Sequence, residues 1–174
     1  SNSFEDGDFL PTQFAFGKTS TEGKIDLSDN KSPHLTWEDL PKGTKSIAIL
    51  CIDRDVPTKP DDVNQEGRMV PSDLPRAEFS HWVLVDLPPD ARIEEGAFSD
   101  GITAKGKDGP DGPQGTRQGI NDYTSWFAGD PDMAGDYYGY DGPCPPFNDS
   151  IVHHYEFTAY ALDVDQVDVD GKFT

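Results

Sequence analysis

Four short stretches of this chain hold residues whose types and spacing could do chemistry: Asp53-Arg54-Asp55-Val56-Pro57, His81, Gly142-Pro143-Cys144-Pro145-Pro146 and His153-His154-Tyr155. An imidazole titrates near ~6.5 when unperturbed, so His81 and His153 can each donate to an oxyanion around neutral pH. The Tyr155 phenol adds an O–H donor, and loop amides add more. Asp53 or Asp55 can accept from an imidazole and fix its tautomer. The same set of His and Asp would also suit a metal ion or acid–base hydrolysis. Against that second chemistry, there is no His-Glu-x-x-His pair and no nucleophile other than Cys144. Each stretch alone has a structural explanation, as a strand cap, a scaffolding histidine or a rigid loop. Their conjunction points to a site.

To act together these residues need strands that bring them to one place. Runs rich in β-branched and aromatic residues predict strands at Thr12–Phe16, Ser46–Ile52, His81–Leu87 and His153–Leu162. Period-two alternation would put Cys51, Asp53 and Asp55 on one face, with Pro57 ending the strand. It sets His153 and Tyr155 on one face and His154 on the other. Further along, Tyr155, Phe157, Ala159 and Ala161 oppose Glu156, Thr158 and Tyr160. Long helical periodicity is absent, and only Pro75–Phe79 and Asp130–Ala134 suit short turns. The expected class is mostly β, a sandwich. Two connections, Asp53 to Ser80 and roughly Pro88 to Val152, far exceed the usual ~4–6 residues. The second carries Trp126, Phe127, Tyr137, Tyr138 and Tyr140, so ordered packing is expected there, with the site where the loops meet strand ends.

Composition narrows the partners. The 174 residues suit a single domain spanning 1–174. Lys+Arg 14 against Asp+Glu 33 gives a formal net charge of -19, which repels phosphate backbones and anionic bilayers. Ten Phe, six Tyr and three Trp are too many for a disordered acidic tail. Of the acids, 25 are Asp and 8 Glu, which also fits a salt-tolerant surface protein; that reading explains the charge but not the motifs. The longest apolar run, Ile47 to Ile52, falls well short of the ~20 residues of a membrane span. The chain opens on Ser1 without a basic, apolar leader, as a processed chain or one with a cloning scar would. Cytoplasm is the expected compartment, with periplasm open. Cys51 and Cys144 leave one bridge or two free thiols, and free thiols are expected. Gly101 to Lys107 has the spacing of a phosphate loop, but Asp108 and Gly109-Pro110 follow where a magnesium-binding hydroxyl and a helix should stand. Asp130, Asp132, Gly135 and Asp141 fit a calcium loop only in part, and solvated aspartates are the better reading.

Taken together, the motifs resemble the phosphatidylethanolamine-binding protein family, also called the Raf kinase inhibitor family, in its bacterial and archaeal branch. Asp53-Arg54-Asp55-Val56-Pro57 matches the D-P-D-A-P signature, departing at Arg54 and Val56. His81-Trp82 falls where the family has its first pocket histidine. Tyr140 to Pro146 with His153-His154-Tyr155 matches the G-P-P…H-R-Y segment, with His154 in place of Arg. Gln114–Tyr123 and the long insertion within Val56–Trp82 are similar to prokaryotic members, and the likeness covers Thr12 to Leu162.

The resemblance implies a large antiparallel sheet packed against a smaller one, with a small anion-binding cavity at one end. Carried over, Asp53, Asp55, His81, His153 and Tyr155 would line the cavity, Cys144 and Pro145 its Pro-rich rim, and Phe79 a rim position. His154 would point away. Lys172-Phe173-Thr174 ends the chain where members continue into a C-terminal helix and a closing strand; truncation, cleavage or cover by a partner would each account for that. The implied function is non-enzymatic binding of a phosphate monoester or phospholipid headgroup, with a zwitterion's ammonium facing the aspartates. A kinase or protease regulatory role, and a homodimer, are the implied protein contacts. No cofactor, metal or catalytic residue is expected.

Overall fold

The most apolar stretch, Ser46–Ile52, becomes the middle of the larger sheet, where neighbours on both edges satisfy its backbone. The computed structural model describes residues 1–22 and 24–174. Along the chain lie β1 (Gly17–Thr19), β2 (Ile25–Leu27), β3 (Ser46–Pro57), β4 (Arg76–Leu87), β5 (Arg117–Gln118), the one-turn helix α1 (Tyr123–Trp126) and β6 (Tyr155–Leu162). The larger sheet has the order β5-β4-β3-β6, and β1-β2 form the smaller one; every pairing is antiparallel. Among the described residues no helix is long and apolar enough to cross a membrane.

Alternation along β3 and β4 makes the core. Ile47, Ile49 and Cys51 pack with Trp82, Leu84 and Leu87, and Tyr155 and Phe157 of β6 lean on the same cluster. Burying each such side chain stabilises the fold by about 1.5–3 kcal/mol. The Trp82 indole is wholly buried and donates to Gln118 Oε1 at 3.0 Å, so its one polar atom is satisfied. Both cysteines are free thiols.

Several expected boundaries move. Thr12–Phe14 is a 3₁₀ turn, not a strand: Pro11 supplies a fixed backbone angle, and its carbonyl accepts from Phe14 N. Pro75–Phe79 is not a turn; β4 starts at Arg76, because Arg76 and Ala77 pair with Pro57 and Val56. The two ends of the long Asp53–Ser80 connection are therefore paired strand, which shortens the irregular chain to 58–75. Asp130 does open a turn, its carbonyl accepting from Ala134 N at 2.8 Å.

The β3–β4 ladder shifts register three times: once between Ile47 and Ile49, within the core half, and twice beside the site. Pairing steps from Cys51↔Trp82 to Ile52↔Ser80, so His81 is the extra residue of β4. It then steps from Asp53↔Phe79 to Val56↔Ala77, which puts an extra residue into β3 between Asp53 and Val56. Bulges re-aim side chains, and these two lie where the chemistry-bearing residues converge.

Candidate functional site

Register builds the site from three adjacent strands. Asp53 pairs with Phe79 on one side and Tyr155 on the other, so the three side chains form a row on one face. His81, freed by its bulge, stands beside this row: its ring lies 4.8 Å from that of Phe79 and 5.3 Å from that of Tyr155. His153, just before β6, joins it through a 2.6 Å bond from Nδ1 to Asp53 Oδ2.

Beside the row opens a cleft of about 760 Å³. Asp53, His81, Cys144, Pro145, His153 and Tyr155 line it, as does Phe79. Asp55, expected with them, does not. The bulge after Asp53 breaks the alternation, so Val56 takes the place on the cleft wall. The Asp55 carboxylate instead accepts from His154 N and Nδ1, at 2.9 and 2.8 Å, and His154 points outward, largely exposed. Burial raises the Asp55 pKa, but the bonds from His154 outweigh it and leave the net shift downward.

The two histidines are shifted in opposite directions. His81 Nδ1 donates to the Asp141 carbonyl at 2.8 Å, which leaves Nε2 as an acceptor. Burial lowers the His81 pKa more than that bond and the nearby aspartates raise it, so the ring is neutral at pH 7. His153 lies between two carboxylates, with Nδ1 on Asp53 and Nε2 on Asp149 Oδ2 at 3.1 Å. Burial works against its charge, but the bonds and charges of Asp53 and Asp149 prevail and raise its pKa. Neither ring therefore presents the free N–H expected from the sequence.

Residues that sequence reasoning missed hold this arrangement. Asp141 is wholly buried; its Oδ1 accepts from Asn30 Nδ2 and its Oδ2 from Asn121 Nδ2, both at 2.7 Å. Lys107 completes the set, with Nζ 3.0 Å from Asp141 Oδ2 and bonded to the Tyr140 carbonyl. The lysine of the apparent phosphate loop thus holds the side chain of Asp141, whose carbonyl orients His81. Gly142 follows in close contact: a Cβ there would lie 1.9 Å from the Phe14 carbonyl oxygen. On the other flank Arg76 grips both oxygens of Asp149, at 2.6 and 3.0 Å, and Asn148 Nδ2 reaches the carbonyls of Asp62, Gln65 and Arg68. These bonds fasten the hairpin loop to the rim.

The Tyr155 hydroxyl is buried close to the Asp53 carboxylate but makes no hydrogen bond of ordinary geometry. Burial, and next the Asp53 charge, push its pKa up, so it stays a donor. Burial also pushes the Cys144 thiol up to about 11. The rest of the cleft is largely aromatic and aliphatic. Its acidic members are Asp53, Glu78 and Asp122, beside the two histidines, without a lysine or arginine among the described lining residues. Among the described residues no group of three or more His, Cys, Asp and Glu is placed to hold a metal ion.

Comparison with known proteins agrees with this architecture. The chain is 35% identical over 170 residues to the UPF0098 protein YbhB of Escherichia coli, covering 98% of this chain and 80% of that one. It is 31% identical to the UPF0098 protein YbcL of the same organism, covering 99% and 72%. The crystal structure of E. coli YbcL, described as a new member of the mammalian PEBP family, superposes with a TM-score of 0.61 at 28% identity, over 99% of this chain and 80% of that one. A Chlamydia trachomatis PEBP homologue shares the fold, with a TM-score of 0.59 at 24% identity, over 100% and 79%. The phosphatidylethanolamine-binding protein family model matches residues 1–174. With that match over a mostly β, two-sheet fold, the chain belongs to the phosphatidylethanolamine-binding protein family.

Proposed function

We propose that this protein is a binding module rather than an enzyme, and that it seats a phosphate monoester or phospholipid headgroup against His81 and Tyr155. The Tyr155 hydroxyl carries the reading. Three buried side-chain atoms among the described residues lack a partner, Arg76 Nε, Ser80 Oγ and Tyr155 Oη, and of these residues only Tyr155 lines the cleft. An unpaired buried hydroxyl costs about 1–3 kcal/mol, a cost that an oxyanion acceptor removes. Beside it, the His81 Nε2 lone pair accepts a proton rather than giving one. The favoured species is a singly protonated oxyanion, or the anion together with a proton on His81. Asp53 and His153 support the floor as a hydrogen-bonded pair, while Cys144 and Pro145 form the rim. The same rim is the surface through which the module would engage a kinase or protease partner.

Calorimetric titration with inorganic phosphate and phosphoethanolamine, from about pH 8 down to pH 5.5, tests this reading. Because binding takes up a proton, affinity should rise as pH falls, by up to about tenfold per unit. His81→Ala should flatten that slope. Absence of binding by both ligands across the range would refute the proposal.

A further inference from the structure

An oxyanion fills little of the cleft. It needs the room of three or four waters, on the order of 100 Å³ at ~30 Å³ each, against about 760 Å³ available. The remaining space has a definite chemistry. Phe16, Tyr123 and Phe127 form a close three-ring cluster: Phe16 and Tyr123 lie 4.5 Å apart at 21°, Tyr123 and Phe127 5.5 Å apart at 17°, and Phe16 and Phe127 5.8 Å apart at 37°. Phe79 meets Tyr123 edge-on at 5.1 Å. Pro57, Pro60 and Pro146 add further flat apolar faces, and half-exposed Trp126 also lines the cleft.

We propose that the ligand is a phosphate monoester with a planar aromatic body, its phosphate at the His81–Tyr155 floor and its ring against this aromatic wall; the assignment rests on the floor reading above. The aromatic rings and prolines lining the cleft offer flat surfaces, which a planar ring covers more completely than a flexible chain does. The charges limit the ligand further. No lysine or arginine is among the described lining residues, and Glu78 and Asp122 are, so a second phosphate or a carboxylate on the body would meet repulsion. The class is therefore a single phosphate on an uncharged or cationic aromatic body.

The test is a calorimetric series: inorganic phosphate, glycerol phosphate, phenyl phosphate, 1-naphthyl phosphate and dodecyl phosphate. Burial of one ring should tighten binding on the order of tenfold to a hundredfold over inorganic phosphate, while glycerol phosphate gains little. In Trp126→Ala and Phe127→Ala, each shown by melting to be folded, the ratio of naphthyl to inorganic phosphate affinity should fall toward one. Phenyl and naphthyl phosphate binding no tighter than inorganic phosphate would overturn the inference and leave the floor reading standing. Dodecyl phosphate binding more than about tenfold tighter than the naphthyl ester would put a chain in the cleft and overturn the aromatic assignment. If neither inorganic phosphate nor any ester binds, the floor reading fails and this inference with it.

Discussion

Replacing Tyr155 with phenylalanine should move stability and binding in opposite directions. The ring stays, so packing against the core cluster is kept and only the buried, partnerless hydroxyl is lost. Removing an unsatisfied buried hydroxyl returns about 1–3 kcal/mol of desolvation cost to the ligand-free protein. At roughly 2–4 °C per kcal/mol for a chain of this size, the melting midpoint should rise by several degrees. The same change deletes a hydrogen bond to a charged ligand, about 1.5–3 kcal/mol, so phosphate affinity should drop by roughly ten- to a hundredfold. Scanning calorimetry without ligand and titration with phosphate measure the two effects on one preparation. A midpoint lowered by several degrees would mean the hydroxyl already has a protein partner. Undiminished affinity would mean that it does not meet the ligand, and either result would refute the reasoning.

Further outcomes follow from the surrounding geometry. His153→Gln leaves the Asp53 and Asp149 carboxylates, each with a side chain only 2% exposed, facing each other, and should cost about 3–5 kcal/mol in urea titrations. Since the folded pKa of His153 is raised, its stabilisation in the native protein is full below ~6.5 and fades as pH rises through the folded value; the variant should lack that fading. The lowered pKa of His81 has the opposite sign: its contribution is present above ~6.5 and is lost as pH falls through its folded value, a loss that His81→Ala should remove. Gly142→Ala drives a methyl into the Phe14 carbonyl and should destabilise the fold by about 1–3 kcal/mol, seen as a lowered denaturation midpoint; an unchanged midpoint would contradict the close contact. Cys144, its thiol pushed up to about 11, should react with iodoacetamide at about pH 8 on the order of a hundredfold more slowly than a small free thiol, and normally once unfolded.

The strands around the site were legible because their signals are local. Ile47, Ile49 and Cys51 alternate, and Pro57 ends β3 where a proline should. Of the residues singled out by the motif resemblance, Asp53, His81, His153, Tyr155 and the Pro-rich rim line the cleft. Asp55 went astray for a physical reason: alternation assumes an unbroken ladder, and a bulge is a property of two strands that neither records alone. The roles of Asp141 and Lys107 were hidden in a similar way. Asp141 meets Asn30, which lies 111 positions away, and no spacing rule reaches that far. Lys107 had stood out only in an apparent phosphate loop, and Asp141 in a partial calcium loop and, without a role, in the Tyr140–Pro146 segment. The free-donor picture of the histidines failed because it counted ring nitrogens without the carbonyl and carboxylates that occupy them.

The extra residue at His81 divides β4 into halves of opposite parity. Inside the bulge, Trp82 and Leu84 face the core; beyond it, Phe79 faces the cleft, three positions from Trp82 instead of an even number. A single-residue deletion between His81 and the hairpin loop would exchange which side chains meet the ligand while the core half kept its phase. In this fold, length in one short stretch of strand is therefore a route to new specificity that leaves the hydrophobic interior alone.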